Sequence, residues 1–586
     1  MQMLKNFIKN NINHPVLLLI IVILFCLAGR LHAADGVFNS NNFSSACSGS
    51  GDCYEVTSDA SFDAVPWLSL GPGDTVRIHY RSEPYRKRIG LRAQGTSDQP
   101  VRIIGVKGPN GELPHLLGEN ATTPSNLKGF YDYRDTNYPG YRGLIIINAM
   151  RWGVKPSNII IQNLKLSGAN ENNYFFDEDG NRKVYYAGAG GIYVYVVDNL
   201  TVRGCEIFDN GNGFYTRSTG SEETTTRNIL FEHNYIYGNG NVGGDRRHNI
   251  YTESAGIIFQ YNRIGRQRAG AIGSSLKDRS AGLIFRYNWI ESAARTMDLV
   301  EAEDGANILV YEPDYYKTYV YGNIIINEVD DNDNYASAGS MIQYGADNSA
   351  NAGTGQCTTS LNLDGGDAEP ICRTGTLFFY NNTVIIKDYR PTPAGSDWVQ
   401  TRIFELSIDN ATADIRNNIF YLYSPNGSNN IALMKYHGIA NLNGTNWINT
   451  GWDPGRYNGW QGKVYDHGVL VPALSGSDPD SKIYINGQLI QGTDPGFTAI
   501  AKISGNLSTD NYTPAGADLI DRSSNPALEV IGSGHNVTNM YQLHQAYTQR
   551  VISGSAMDLG ALEQTNSSGT VVDQKPAAPV LRIITE

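Results

Sequence analysis

The chain has 586 residues, with 46 Lys and Arg against 58 Asp and Glu and a formal net charge of −12. An acidic balance of this size argues against a nucleic-acid partner, whose phosphates need a basic face. The 63 glycines and 36 tyrosines suit tight turns and strands carrying flat amphipathic rings, which either stack on sugars or simply serve as good strand residues.

Residues 1–33 contain Lys5, Lys9 and Arg30, no acidic residue, and an unbroken apolar run from Val16 to Gly29. This pattern predicts a secretory leader with cleavage after Ala33. Leu31 is a poor minus-three residue, which leaves an uncleaved N-terminal anchor as the alternative, although the run is short for a span. The chain is therefore expected to be secreted, periplasmic or at the cell surface, and monomeric. No membrane contact is expected unless the leader is retained. Cys47 and Cys53 enclose a five-residue loop and Cys357 and Cys372 bracket another, so two local disulfides are expected in an exported protein. No Cys/His spacing reads as a zinc site.

Residues 34–69 are expected to form an N-terminal cap. Turn-then-strand chemistry follows at Gly71–Ile78 and again at Gly95–Ile104. An eight-residue phrase then recurs as Ile229–Ile236, Ile257–Ile264 and Leu283–Ile290, with Asn234, Asn262 and Asn288 at its sixth position. Weaker copies supply Asn323, Asn382 and Asn418, and an earlier copy, Leu200–Ile207, carries Cys205, expected as a small buried hydrophobe. Short β-rich repeats of this period predict a solenoid. A buried asparagine in every turn needs partners for its amide, most simply its counterpart one turn away. The reading is an all-β parallel β-helix with an asparagine ladder over 70–430.

Each turn is expected to begin with a strand before the phrase: Gly191–Val196, Gly213–Arg217, Asn249–Glu253, Ala271–Lys277, Thr296–Glu303, Met341–Gly345 and Ile403–Ile408. Asn170–Lys183, Gly220–Thr226 and Gly353–Arg373 are read as loops hung from the coil. Residues 431–564 are expected to hold terminal turns and a C-terminal cap, and 565–586 a disordered tail.

Side chains alternate in and out along a strand, so outward residues of stacked strands form columns. With Ile250, Ile272, Met297 and Leu299 inward, the opposite parity exposes Tyr193, Tyr195, Tyr215, Arg217, Tyr251, Glu253, Lys277 and Asp298. Nearby lie His248, Arg279, Glu301, Glu303 and Asp304. Lys277 and His248 are competing candidates for a catalytic base, with Tyr251 as acid and Arg217 or Arg279 as carboxylate partners. Tyr193, Tyr195, Tyr215, Arg217 and Glu253 are candidate substrate contacts. The Asp298, Glu301 and Glu303 carboxylates are either a calcium site or a salt-bridge network with Lys277 and Arg279.

The ladder, the Pro-Gly-Asp opening at Pro72–Asp74 and the closing Met557–Glu563 resemble the secreted right-handed parallel β-helix proteins of the pectate-lyase type, over residues 70 to 565. The Lys277-Asp278-Arg279 strand before an asparagine phrase resembles the lysine-bearing turn of the chondroitinase B and alginate lyase family. That resemblance implies a lysine base and acidic residues holding Ca2+. The chain departs from it in two places. Gly270–Ser275 lacks the acidic residues placed before that lysine, and the acidic 298–304 segment stands where an arginine follows one turn later. The expected function is an exported lyase cleaving an acidic, uronate-containing polysaccharide by β-elimination. The alternatives are a glycoside hydrolase drawing on Glu253, Asp298 and Glu301, and a non-catalytic polysaccharide binder or adhesin.

Overall fold

The structure is a computed structural model. It describes residues 37–564 except 48–49, 135–138, 150–153, 293–294, 330–339, 352, 362–368, 390–400, 426–430, 436, 451–462, 473–481 and 499–508. The expected leader and tail, and part of the Gly353–Arg373 loop, lie outside the described residues.

Among the described residues, three sheets of 10, 15 and 11 strands run from Cys53 to Gly492, parallel throughout except where Lys463–Asp466 meets Val469–Leu470. One turn shows the plan. Gly190–Val194 lies in the ten-stranded sheet, Asp198–Arg203 in the fifteen-stranded sheet and Glu206–Phe208 in the eleven-stranded sheet. The next turn repeats it with Asn212–Thr216, Arg227–Glu232 and Tyr235–Tyr237. The asparagine phrase therefore spans the corner between the second and third sheets.

The ladder stands at that corner. Asn262 Oδ1 accepts the Asn234 main-chain N–H at 2.9 Å and its Nδ2 at 3.2 Å. The same pair of bonds repeats from Asn262 to Asn288, Asn323, Asn382, Asn418 and Asn446. Each Nδ2 of these inner rungs also donates to a strand carbonyl of the preceding turn, as Asn262 does to Phe231 at 2.8 Å, so every polar atom of the buried amide is satisfied. Asn446 extends the ladder one rung beyond the six-copy repeat. Buried Cys205 opens it, its N–H donating to Asn234 Oδ1 at 2.9 Å. Burial pushes its thiol up to about 12.

The residue before each rung from Asn234 to Asn418 takes a left-handed conformation, with φ of 55° at His233, 58° at Tyr261, 53° at Tyr287, 65° at Gly322, 51° at Asn381 and 58° at Asn417. Aromatic side chains are costly there, and packing against the C-terminal segment compensates. That segment runs back along the flank of the coil. Asn417 Oδ1 accepts from Ser524 at 2.9 Å, the Tyr287 hydroxyl accepts the Thr538 N–H at 2.8 Å, and Gln545 Nε2 donates to the His233 carbonyl at 2.9 Å. Tyr547 stacks on Tyr261 at 4.0 Å and pairs its main chain with Phe38. At the other end, Cys53–Val56 adds a strand to the second sheet, and Phe62, Val65 and Trp67 from a short helix and its exit are buried against the first turn. Both expected disulfides, Cys47–Cys53 and Cys357–Cys372, are formed. Among the described residues, no helix is long and apolar enough to cross a membrane.

Candidate functional site

The ten-stranded sheet holds the outward column in register. Tyr193 pairs with Tyr215, Tyr215 with Tyr251, Tyr251 with Lys277 and Lys277 with Asp298, one turn at a time. Strands in such a sheet lie about 4.8 Å apart. The inward row is Ile192, Phe214, Ile250, Leu276 and Met297. Ile272 precedes its strand, which spans Ser274–Asp278. Two positions along, the inward row contains Asp278, whose charge is met by Arg373.

The tyrosines stack chiefly on one another. Tyr193 and Tyr215 are 4.2 Å apart between centroids and Tyr215 and Tyr251 are 5.0 Å apart, both pairs nearly parallel. Tyr195 tilts against Tyr193 at 5.0 Å. Both faces of Tyr215 are thus covered by neighbouring rings, and Tyr193 is buried with its hydroxyl accepting from Arg142 at 3.1 Å. The column is an aromatic wall leading to the charged residues, as cross-strand aromatic pairs make it.

The charged residues form one network. Lys277 Nζ donates to Asp347 Oδ2 at 2.5 Å and lies 3.9 Å from Asp298 Oδ2. Arg279 donates Nε to the Tyr251 hydroxyl at 3.0 Å, Nη1 to the Glu301 carbonyl at 2.6 Å and Nη2 to Asp347 at 3.3 Å. It is also 3.3 Å from Glu303 Oε2, the carboxylate that receives the Tyr251 proton at 3.3 Å. Burial works against the Arg279 charge, but Tyr251, Glu301, Glu303 and Asp347 outweigh it and hold the guanidinium above its usual range. Burial raises the Tyr251 hydroxyl well above the ordinary tyrosine value. Arg217 stands one step away, paired with Asp304 at 2.9 Å.

His248 is buried beside this network. Its Nδ1 accepts the Ser274 N–H at 2.9 Å. Burial, with Lys277, Arg295, Arg247 and Arg279 nearby, pushes the ring well below its usual range. A neutral ring with Nδ1 as acceptor carries its proton on Nε2. Asp298 is also buried; Oδ2 accepts from Ser274 Oγ at 2.5 Å and lies 3.5 Å from Arg295. Asp298 raises Arg295 above its ordinary value.

Two glutamates hold loops. Glu253 Oε1 accepts the N–H groups of Glu303 at 2.7 Å and Gly305 at 2.9 Å, and burial lifts its carboxyl to about 7. Glu301 Oε2 accepts the Asp347 N–H at 2.7 Å, while Oε1 accepts those of Asn348 and Ser349 at 2.8 and 2.9 Å. Asp298, Glu301 and Glu303 therefore do not fit a calcium ion. Glu301 has both oxygens on backbone donors, and Asp298 lies among Lys277, Arg295 and Ser274, where a cation needs converging oxygens. Among the described residues, Cys47, Cys53 and Glu55 are the one group of three ligand atoms close enough to share an ion, and those cysteines are bonded to each other. The arrangement is the salt-bridge network, the other reading of these carboxylates.

Sequence reasoning missed Asp347, Arg295 and Ser274. Arg295 and Ser274 face each other in register at the strand starts, on the inward parity, so alternation from the outward column does not reach them. Asp347 has no such signal either.

Residues 157–347 match the family model described as the right-handed β-helix region. The fold is a right-handed parallel β-helix. Comparison with curated proteins gives no match. Among solved structures, a pectate lyase is 13% identical with a TM-score of 0.39, covering 91% of this chain and 100% of its own. An alginate lyase from Paenibacillus sp. is 13% identical with a TM-score of 0.29, covering 75% and 98%. A DFA-IIIase from Arthrobacter chlorophenolicus, in complex with GF2, is 12% identical with a TM-score of 0.34, covering 75% and 99%. Likeness at this level concerns the fold and carries no activity across.

Proposed function

We propose that this protein is an exported enzyme that cleaves a uronate-containing polysaccharide by β-elimination at the Tyr251, Lys277 and Arg279 face. The observation that carries the reading is the register of Tyr251 beside Lys277 with Arg279 Nε on the Tyr251 hydroxyl. In this reading a base, an acid and a cation stand within the reach of one sugar, as strands about 4.8 Å apart allow.

In this reading Lys277, in its neutral form, takes the proton from the carbon beside the uronate carboxylate. That electron pair forms the new double bond as the glycosidic C–O bond breaks. Tyr251 gives its proton to the leaving oxygen, and burial, which keeps the hydroxyl protonated, suits that task. Arg279 and Arg295 neutralise the carboxylate as charge builds on it. His248 is the weaker base, since Ser274 takes up its free nitrogen; it suits a donor role to substrate oxygen. No step is routed through calcium. Hydrolysis would need two available carboxylates, and both Glu253 and Glu301 are engaged with backbone N–H groups.

The test is absorbance at about 235 nm, where a conjugated uronate from elimination absorbs, on alginate, pectate, glycosaminoglycans and bacterial uronate exopolysaccharides. A rise that Lys277→Ala and Tyr251→Phe each reduce by about 10²-fold or more supports the reading. New reducing ends without absorbance overturn it in favour of hydrolysis. Binding without any product overturns it in favour of a non-catalytic binder.

A further inference from the structure

Asp347 comes from the loop after Ser340–Tyr344, 70 residues beyond Lys277. Its Oδ2 alone spans the two cations, 2.5 Å from Lys277 Nζ and 3.3 Å from Arg279 Nη2. A carboxylate on a loop is ordinarily a weak partner, because holding two long side chains costs entropy. Here the loop is fixed from below. Buried Glu301 takes three consecutive N–H groups, those of Asp347, Asn348 and Ser349. Ser407 Oγ accepts the Ala346 N–H at 2.8 Å and donates to the Ala346 carbonyl at 2.7 Å, and Gln343 Nε2 donates to the same carbonyl at 2.9 Å. The three bonds to the Glu301 carboxylate are charge-assisted and so the stronger ones.

We infer that Asp347 is a positioning residue that sets the placement of Lys277 and Arg279, with Glu301 holding Asp347 in turn; the catalytic part of this role rests on the elimination proposed above. Lys277 faces Asp298 on the next strand, Arg279 on its own strand, Tyr251 on the preceding one, and His248 and Arg295 at the strand starts. Of the two carboxylates against Nζ, Asp347 is the nearer and the one shared with Arg279. Without it, Lys277 is left with Asp298 at the edge of ion-pair distance.

The experiment uses the full chain and Asp347→Asn, with Asp347→Glu and Glu301→Gln beside it. Acylation of Lys277 by an amine-selective reagent is read by mass spectrometry at one fixed pH, with Lys128, whose side chain is 69% exposed, as internal reference. In Asp347→Asn the ammonium loses the partner that holds it at 2.5 Å, so Lys277 is acylated about threefold or more faster relative to Lys128 than in the parent. Glu301→Gln moves the rate the same way, and Asp347→Glu restores part of the protection. On a uronate polymer that yields unsaturated product, Asp347→Asn lowers kcat about tenfold, with KM within about twofold. A Lys277 acylation rate unchanged in Asp347→Asn overturns the inference, whatever the activity. A changed rate with no unsaturated product from any variant sustains the positioning and overturns the elimination reading alone.

Discussion

Arg373 Nη2 lies 3.0 Å from Asp278 Oδ2, and neither side chain reaches solvent. The pair sits behind the candidate site, because Asp278 is the inward residue between Lys277 and Arg279. Arg373 also donates to the Val300 carbonyl at 2.7 Å and the Ser280 carbonyl at 2.6 Å, tying the end of the disulfide loop to two successive turns of the coil. Removing one partner leaves a buried charge uncompensated, which costs about 3–5 kcal/mol, whereas an apolar or neutral replacement of both is close to neutral. Arg373→Met is expected to lower unfolding stability by that amount, and Asp278→Asn with Arg373→Met to recover most of it. Urea unfolding of both variants checks this; a loss below about 1 kcal/mol in the single variant would refute it.

The ladder makes a second prediction. Asn262→Ala removes the acceptor for the Asn234 N–H and Nδ2 and the donor to the Phe231 carbonyl. Each unsatisfied buried group costs about 1–3 kcal/mol, so the loss is expected to be on the order of several kcal/mol. Cys205 contributes its own N–H to the ladder but no side-chain acceptor in that row, so Cys205→Ala is expected to fall within about 1.5 kcal/mol of the parent. Equal losses in the two variants, measured by thermal unfolding, would contradict the account.

Glu253 predicts a pH dependence with a definite sign. Burial raises its carboxyl from the reference value of 4.5 to about 7, so the folded state holds a proton that the unfolded chain releases. Its contribution to stability is complete below about 4.5 and is lost as pH rises through about 7, a fall on the order of 3–4 kcal/mol at about 1.4 kcal/mol per unit. Glu253→Gln keeps an acceptor for the Glu303 and Gly305 N–H groups and does not titrate. Its stability relative to the parent should therefore rise between pH 5 and pH 8, and a constant difference across that window would exclude the effect.

The coil was legible because its rules are local. A buried asparagine at a fixed place in each phrase requires a rung, and alternation fixed the outward parity that aligns Tyr193, Tyr215, Tyr251, Lys277 and Asp298. Asn446 escaped because its phrase, Ala440-Asn-Leu-Asn-Gly-Thr-Asn446, carries extra turn residues that break the match. Asp347 and Arg373 escaped for a different reason. Both come from loops without a period, and their partners are set by Glu301 and Asp278, whose side chains point to places only the folded coil defines. The return of residues 509–563 along the flank was also hidden, although the aromatic residues ahead of three rungs (His233, Tyr261 and Tyr287) were its trace in the sequence.

The calcium expectation yields the last prediction. It rests on the acidic residues Asp298, Glu301 and Glu303, whose neighbours the sequence does not give. Glu301 accepts three backbone N–H groups, Glu303 faces Arg279 and Tyr251, Asp304 pairs with Arg217, and Asp298 lies against Ser274 and Arg295. A divalent ion binding there would have to displace these donors and share the space with three guanidinium groups, against both its charge and its need for six or more oxygens. Treatment with EDTA is therefore expected to leave the melting temperature within about 1 °C, since an ion that does not bind the native state cannot stabilise it. Added millimolar calcium should likewise raise it by no more than that. A calcium-dependent rise of several degrees that Glu303→Gln abolishes would place an ion on these carboxylates and overturn the assignment of the cluster as a salt-bridge network.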